Sequence, residues 1–171
     1  MNSPHRVRWF LGIVAALAAL PLSVWAQGPF APTFIRVSAA PGVVTFRLAP
    51  RGVAAGSTPV SLTTQWNLQR GNVVTLYAYF TQPAAALSAG GASNIPSSRV
   101  FGTDASGRLL PFTGSGPFST GGSLTIFQER IRGGNRRKTR TDAMSVQIDT
   151  TGLGLGPGTY SGILVIHAEA F

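Results

Sequence analysis

The chain has 171 residues, of which 44% are hydrophobic, 11% charged and none cysteine, with 21 Gly and 12 Pro; that is one domain, not two, and too apolar for a disordered chain. The absence of cysteine excludes a disulfide framework, thiolate metal sites, a thiol nucleophile and lipid attachment at a cysteine. Fourteen Lys and Arg against five Asp and Glu give a formal charge of +9, a surface poor in acid more than dense in base.

Taken in chain order, Arg6 and Arg8, the uncharged run Trp9 to Leu20, the break at Pro21 and the sequence Val24-Trp25-Ala26 compose a signal peptide over 1–26. As a retained membrane anchor the stretch falls short, because a spanning helix needs about 20 apolar residues and Pro21 interrupts this one. Cleavage after Ala26 leaves 12 basic and 5 acidic side chains, hence +7, and no later segment apolar enough to span as a helix. The product is expected in the periplasm or outside the cell, with no transmembrane anchor. Residues 27–33, with Pro29 and Pro32, read as a linker, and 34–171 as the domain proper.

Alternation with period two marks the strands. Val44, Phe46 and Leu48 alternate with Thr45 and Arg47; Val60, Leu62, Thr64, Trp66 and Leu68 alternate with Ser61, Thr63, Gln65, Asn67 and Gln69. Val73 to Phe80 follows, after Arg70-Gly71-Asn72, which suits a hairpin turn between antiparallel neighbours. Pro83 to Ala89 has room for one helical turn. Met144, Val146 and Ile148 alternate with Ser145, Gln147 and Asp149, and Ser161 to Ala170 is a last β-branched strand. Turn signals recur at Gly90-Gly91, Ser106-Gly107, Gly114-Ser115-Gly116-Pro117, Gly121-Gly122 and Gly133-Gly134-Asn135. About 7–9 short strands with turns at intervals near ten predict an all-β fold, an antiparallel β-sandwich, with a closed barrel as the alternative. Trp66, Phe46, Leu76, Met144, Ile148 and Leu164 are the expected core.

The run Gly156-Pro157-Gly158-Thr159-Tyr160-Ser161-Gly162-Ile163-Leu164-Val165-Ile166 resembles the closing strands of secreted bacterial immunoglobulin-like domains. That resemblance implies an immunoglobulin-like sandwich in which Tyr160 is a tyrosine corner, its hydroxyl bonded back to main chain. The order Trp66-Asn67-Leu68, Leu76-Tyr77-Ala78-Tyr79-Phe80, Ile95-Pro96, Arg140-Thr141-Asp142 and Gln147-Ile148-Asp149 resembles a group of uncharacterised exported bacterial proteins over most of the mature chain. It implies fold and export and no particular activity. The terminal segment is also similar to the last strand of pilus-subunit and spore-coat-like domains, although this chain has none of their usual cysteines.

Arg130, Arg132, Arg136, Arg137, Lys138 and Arg140 place six basic residues within eleven positions, on the expected ends and tip of a hairpin turning at Gly133-Gly134-Asn135. Guanidinium groups make bidentate contacts to phosphate, sulfate or carboxylate, so a polyanion site is one reading; a solvated loop guarding a sheet edge is the other. No aromatic residue lies within 130–140, which speaks against nucleic acid, since single-strand binders stack bases on aromatic rings. Tyr77 and Tyr79 share a strand face opposite Val74, Leu76, Ala78 and Phe80, which suits either stacking on sugar rings or ordinary cross-strand pairing. His167 and Glu169 share a face of the last strand, two ligands where zinc wants three or four. Gly152, Gly154, Gly156 and Gly158 miss the spacing of a nucleotide-binding loop and lead into a strand.

No catalytic, cofactor-binding or metal-binding set is expected. A hydrolytic triad lacks its elbow motif, and the five acids Asp104, Glu129, Asp142, Asp149 and Glu169 are scattered. The expectation is a non-enzymatic envelope component, structural or adhesive, whose partners are other protein subunits. The alternative is a module for acidic glycan or envelope glycolipid through 130–140, with a small hydrolase third.

Overall fold

The computed structural model describes residues 32–90, 93–118 and 121–171, all within one compact unit spanning 31–171. The signal peptide expected over 1–26 and most of the linker 27–33 lie outside them. Twelve strands occur among the described residues: β1 Phe34–Ala40, β2 Val53–Ala55, β3 Val60–Asn67, β4 Val73–Phe80, β5 Leu87–Ser88, β6 Asn94–Ile95, β7 Val100–Thr103, β8 Leu109–Pro111, β9 Ser123–Arg130, β10 Arg137–Met144, β11 Val146–Asp149 and β12 Leu164–Ala170. The excess over seven to nine comes from β2, β5, β6 and β8, which at two or three residues are too short to show an alternation. Two single 3-10 turns, Pro83–Ala85 and Ser97–Arg99, are the helical elements. No helix among the described residues is long and apolar enough to cross a membrane.

Every ladder is antiparallel. The sheets run β1-β3-β10, β2-β11-β7-β8, β12-β4-β9 and the pair β5-β6. Alternation explains burial: Val60, Leu62, Thr64 and Trp66 of β3 are buried, as are Val74, Leu76, Ala78 and Phe80 of β4. On β9 the alternation is broken, and Ile126 and Phe127 are both buried in succession. The register of β4 on β9 shifts between Leu76 and Tyr77, pairing them with Phe127 and Thr125; that bulge leaves Ile126 as the extra residue and turns both neighbours inward. One core cluster joins β3, β4, β7, β9, β10 and β11, with Trp66 against Phe127 at 6.3 Å between ring centroids. Each such fully buried side chain contributes about 1.5–3 kcal/mol through loss of apolar surface to water. Of the expected core, Trp66, Leu76, Met144 and Ile148 are buried, while Phe46 and Leu164 are only half-buried.

Five local readings are corrected. Residues 70–72 do not make a hairpin: β3 ladders on β1 and β10, whereas β4 ladders on β12 and β9, so the connection passes from one sheet to another. The same holds for 131–136, because β9 lies on β4 and β10 on β3; there is no basic hairpin. The segment Val44 to Leu48 is no ladder strand. Its alternation shows in burial, with Val44, Phe46 and Leu48 half-buried and Thr45 and Arg47 exposed. Its one bridge among the described residues joins Phe46 to Gly56. The expected strand through Met144, Val146 and Ile148 is divided at Ser145 into β10 and β11, whose partners lie in different sheets. The last strand begins at Leu164, not Ser161.

Candidate functional site

The basic segment separates by strand parity. Lys138 pairs in register with Trp66, and Arg140 and Asp142 follow on the same face of β10 as buried Met144. Lys138 Nζ donates to both Glu129 oxygens at 2.8 and 2.9 Å and lies 5.7 Å from the Trp66 ring. Arg140 grips Asp142 through Nε and Nη2 at 2.8 and 2.9 Å, reaches Glu129 at 3.3 Å, and sits 4.2 Å above Phe127. These two cations are occupied by carboxylates. They also guard β10, an edge strand, because inward-pointing charge disfavours addition of another chain.

Asn135, read from the sequence only as a turn residue, fastens the crossover. Its carbonyl accepts from Trp66 Nε1 at 2.8 Å, its Oδ1 accepts from Arg132 N, and its Nδ2 donates to Glu129 Oε1 at 2.7 Å and to the Arg130 carbonyl at 3.1 Å. Burial opposes ionisation of Glu129, but the hydrogen bonds from Lys138 and Asn135, with the Lys138 charge and Arg140, outweigh it and hold the carboxyl below the usual range. Arg136 donates to the Leu68 carbonyl at 3.3 Å. Arg130, Arg132 and Arg137 are exposed. Arg70, on the other crossover, faces the same cleft as Arg130 and Arg132; it stands 60 and 62 positions from them, beyond the reach of a search for local charge runs.

Tyr77 and Tyr79 do point away from the core, beside His167 and Val165 of β12. They do not form an open platform. Gly116 lies directly against the Tyr77 ring, with no room for a Cβ. Phe118 meets Tyr79 edge-on at 5.6 Å and His167 at 5.5 Å, and is itself 60% exposed. Burial first, then the Glu169 charge and hydrogen bond, push the Tyr77 phenol above its ordinary value. His167 Nε2 and Glu169 Oε2 lie 3.7 Å apart.

At the opposite end of the strands an apolar groove of about 1150 Å³ opens between β1 with the segment 41–50 and the segment 155–166. Every side chain lining it is uncharged. Among the described residues β1 and β12 are both sheet edges with a ladder on one side only. Their inward residues Ile35, Val37, Leu164, Ile166 and Ala168 are half-buried, where the inward rows of β3 and β4 are buried. Val43 and Ile163, on its walls, are 74% and 78% exposed. Tyr160 lines the groove and donates from its hydroxyl to the Gly156 carbonyl at 3.0 Å. Comparison of the chain with protein-family models and with curated proteins gives no match, so the two ends are read from their own geometry.

Proposed function

We propose that the domain is an immunoglobulin-like β-sandwich with an apolar groove at one end of its neighbouring edge strands β1 and β12, and that it serves as a structural component of the cell envelope that accepts an extended segment of another protein. The observation carrying this reading is the groove: two edge strands, β1 and β12, face an uncharged trough and leave their inward apolar rows half-buried. An added strand would hydrogen-bond to a free edge and bury alternate apolar side chains, which is recognition by strand addition. The absence of charge along the walls selects an apolar segment, because a buried unpaired charge is expensive. Residues 27–33 are a poor occupant, since Pro29 and Pro32 interrupt a ladder; the segment therefore comes from a different chain. The domain acts by contact, with no catalysis assigned to it.

The test uses the mature chain and a nine-residue peptide alternating Val and Thr. Expected are one-to-one peptide binding and a rise in melting temperature. A contribution of about 1 kcal/mol moves Tm by roughly 2–8 °C in domains of this size range. Substitutions Val43→Asp and Ile163→Asp at exposed wall positions are expected to abolish the rise. A monomer whose β1 and β12 amides resist hydrogen exchange, and whose melting ignores the peptide, overturns the reading.

A further inference from the structure

Two crossovers lie side by side at the end of the strands remote from the groove: residues 68–72 lead from β3 to β4, and 131–136 from β9 to β10. Main-chain bonds tie them together. Leu68 N donates to the Arg136 carbonyl at 2.8 Å, Gly71 N to the Ile131 carbonyl at 3.0 Å, and Ile131 N to the Asn72 carbonyl at 2.7 Å. Gly71 takes φ +102°, a conformation that side chains rarely adopt. The crossing loops are thus held at fixed spacing before any ligand arrives.

Between them is a cleft of about 370 Å³ lined by Arg70, Gly71, Arg130, Ile131 and Arg132. Ile131 is buried; the three arginines are exposed and make no side-chain hydrogen bond or ion pair among the described residues. Glu129, next to Arg130 in the chain, is committed to Lys138, Arg140 and Asn135. Three like charges around one concavity raise the local positive potential, and an oxyanion relieves their repulsion while accepting guanidinium hydrogen bonds. Arg136 and Arg137 continue the line of charge onto the end of β10, where Arg137 pairs in register with Asn67.

We infer that Arg70, Arg130 and Arg132 form a binding site for the sulfate or carboxylate groups of an acidic polysaccharide, extended by Arg136 and Arg137. The choice of polymer follows from what the cleft lacks. Its own lining holds no aromatic ring on which nucleic-acid bases could stack and no exposed apolar side chain to enter a lipid surface; the exposed Phe171, bonded to Val73 on the side of β4 away from Arg130, stands outside it. This site is distinct from the groove and stands whether or not a strand is accepted there.

The experiment measures binding of the mature chain to a heparin dodecasaccharide and to a polygalacturonate of similar length, at low and at physiological salt. Expected is binding to one or both that weakens steeply with salt, the preferred polymer telling sulfate from carboxylate. Arg70→Ala, Arg130→Ala and Arg132→Ala should each weaken it about two- to fivefold, and the triple variant on the order of tenfold or more. Because all three side chains are exposed, the variants are expected to fold, which their melting curves check. A control triple, R47A/R51A/R108A, carries the same change in net charge and should leave affinity within about twofold. Equal loss in the control, unchanged binding by the cleft triple, or tighter binding to single-stranded DNA or anionic phospholipid vesicles than to either polysaccharide overturns the proposal.

Discussion

At the scale of single residues, the six clustered cations divide into two jobs that composition alone does not separate. Counting charges from 130 to 140 treats all six alike, whereas parity does not: Lys138, Arg140 and Asp142 alternate in phase with Met144, which is buried. That signal was present in the sequence and places them on the core side of β10. What the sequence could not show is their partner, since Glu129 comes from the preceding strand of another sheet. Glu129 is the hinge of the network, and its lowered carboxyl pKa makes a signed prediction. A carboxylate more acidic in the folded state stabilises the fold fully above its unfolded pKa of about 4.3, and that stabilisation is lost as pH falls through the lower folded value. Glu129→Gln removes the charge but keeps an oxygen for Asn135 Nδ2. Urea unfolding at pH 7 is expected to show a loss of about 1–2 kcal/mol, a range set by hydrogen bonds to charged groups in a partly exposed setting. The gap between variant and parent should close as pH drops below 4; a gap constant with pH would mean that packing, not charge, is what the substitution removed.

At the scale of elements, faces were legible and partners were not. The period-two runs at Val60–Asn67 and Val73–Phe80 give the burial pattern directly, because a strand's alternation is a local property. Pairing is not local. Arg70-Gly71-Asn72 has the length and residue types of a hairpin turn, yet each flanking strand finds its neighbours elsewhere, β3 between β1 and β10 and β4 between β12 and β9. Val44 to Leu48 shows the converse: correct alternation with one bridge and no ladder. Close approach of connecting segments is equally invisible in one dimension, and Gly162 illustrates it. A Cβ built there would collide with the Ala86 carbonyl, at the point where Ser161 bridges to Ser88 just before β12. Gly162→Ala is therefore expected to destabilise the fold by about 3 kcal/mol or more, through displaced backbone. Gly133, with nothing near its absent Cβ, is the matched control, and Gly133→Ala should stay within about 0.5 kcal/mol. Thermal unfolding of the pair checks both, and similar losses at the two positions would mean that the junction before β12 tolerates displacement.

At the scale of the whole unit, the strands separate two surfaces of opposite character. Chain direction sets this out: β3 ends at Asn67 beside the arginine crossovers and starts at Val60 on the groove, and β4 runs back from Val73 to Phe80, which also lines the groove. Eight-residue strands put roughly 25 Å between the ends, about three Debye lengths at physiological salt. Direct electrostatic influence of one end on the other is therefore slight. Any coupling would have to pass through the packed core, which requires an element with two discrete arrangements; the ladders of β3 on β1 and β10 and of β4 on β12 run without a register break, and the bulge in the ladder of β4 on β9 is packed into the core through Ile126 and Phe127. The two activities should accordingly be separable. Val43→Asp and Ile163→Asp are expected to remove the peptide response while leaving polysaccharide affinity within about twofold, and the triple arginine variant to do the reverse, since neither set shares a partner with the other. Titrating the peptide into chain already saturated with polysaccharide completes the cycle. Equal peptide affinity with and without the polymer is the expected result, and a change of tenfold, about 1.4 kcal/mol of coupling, would show that the groove and the arginine end form one switch.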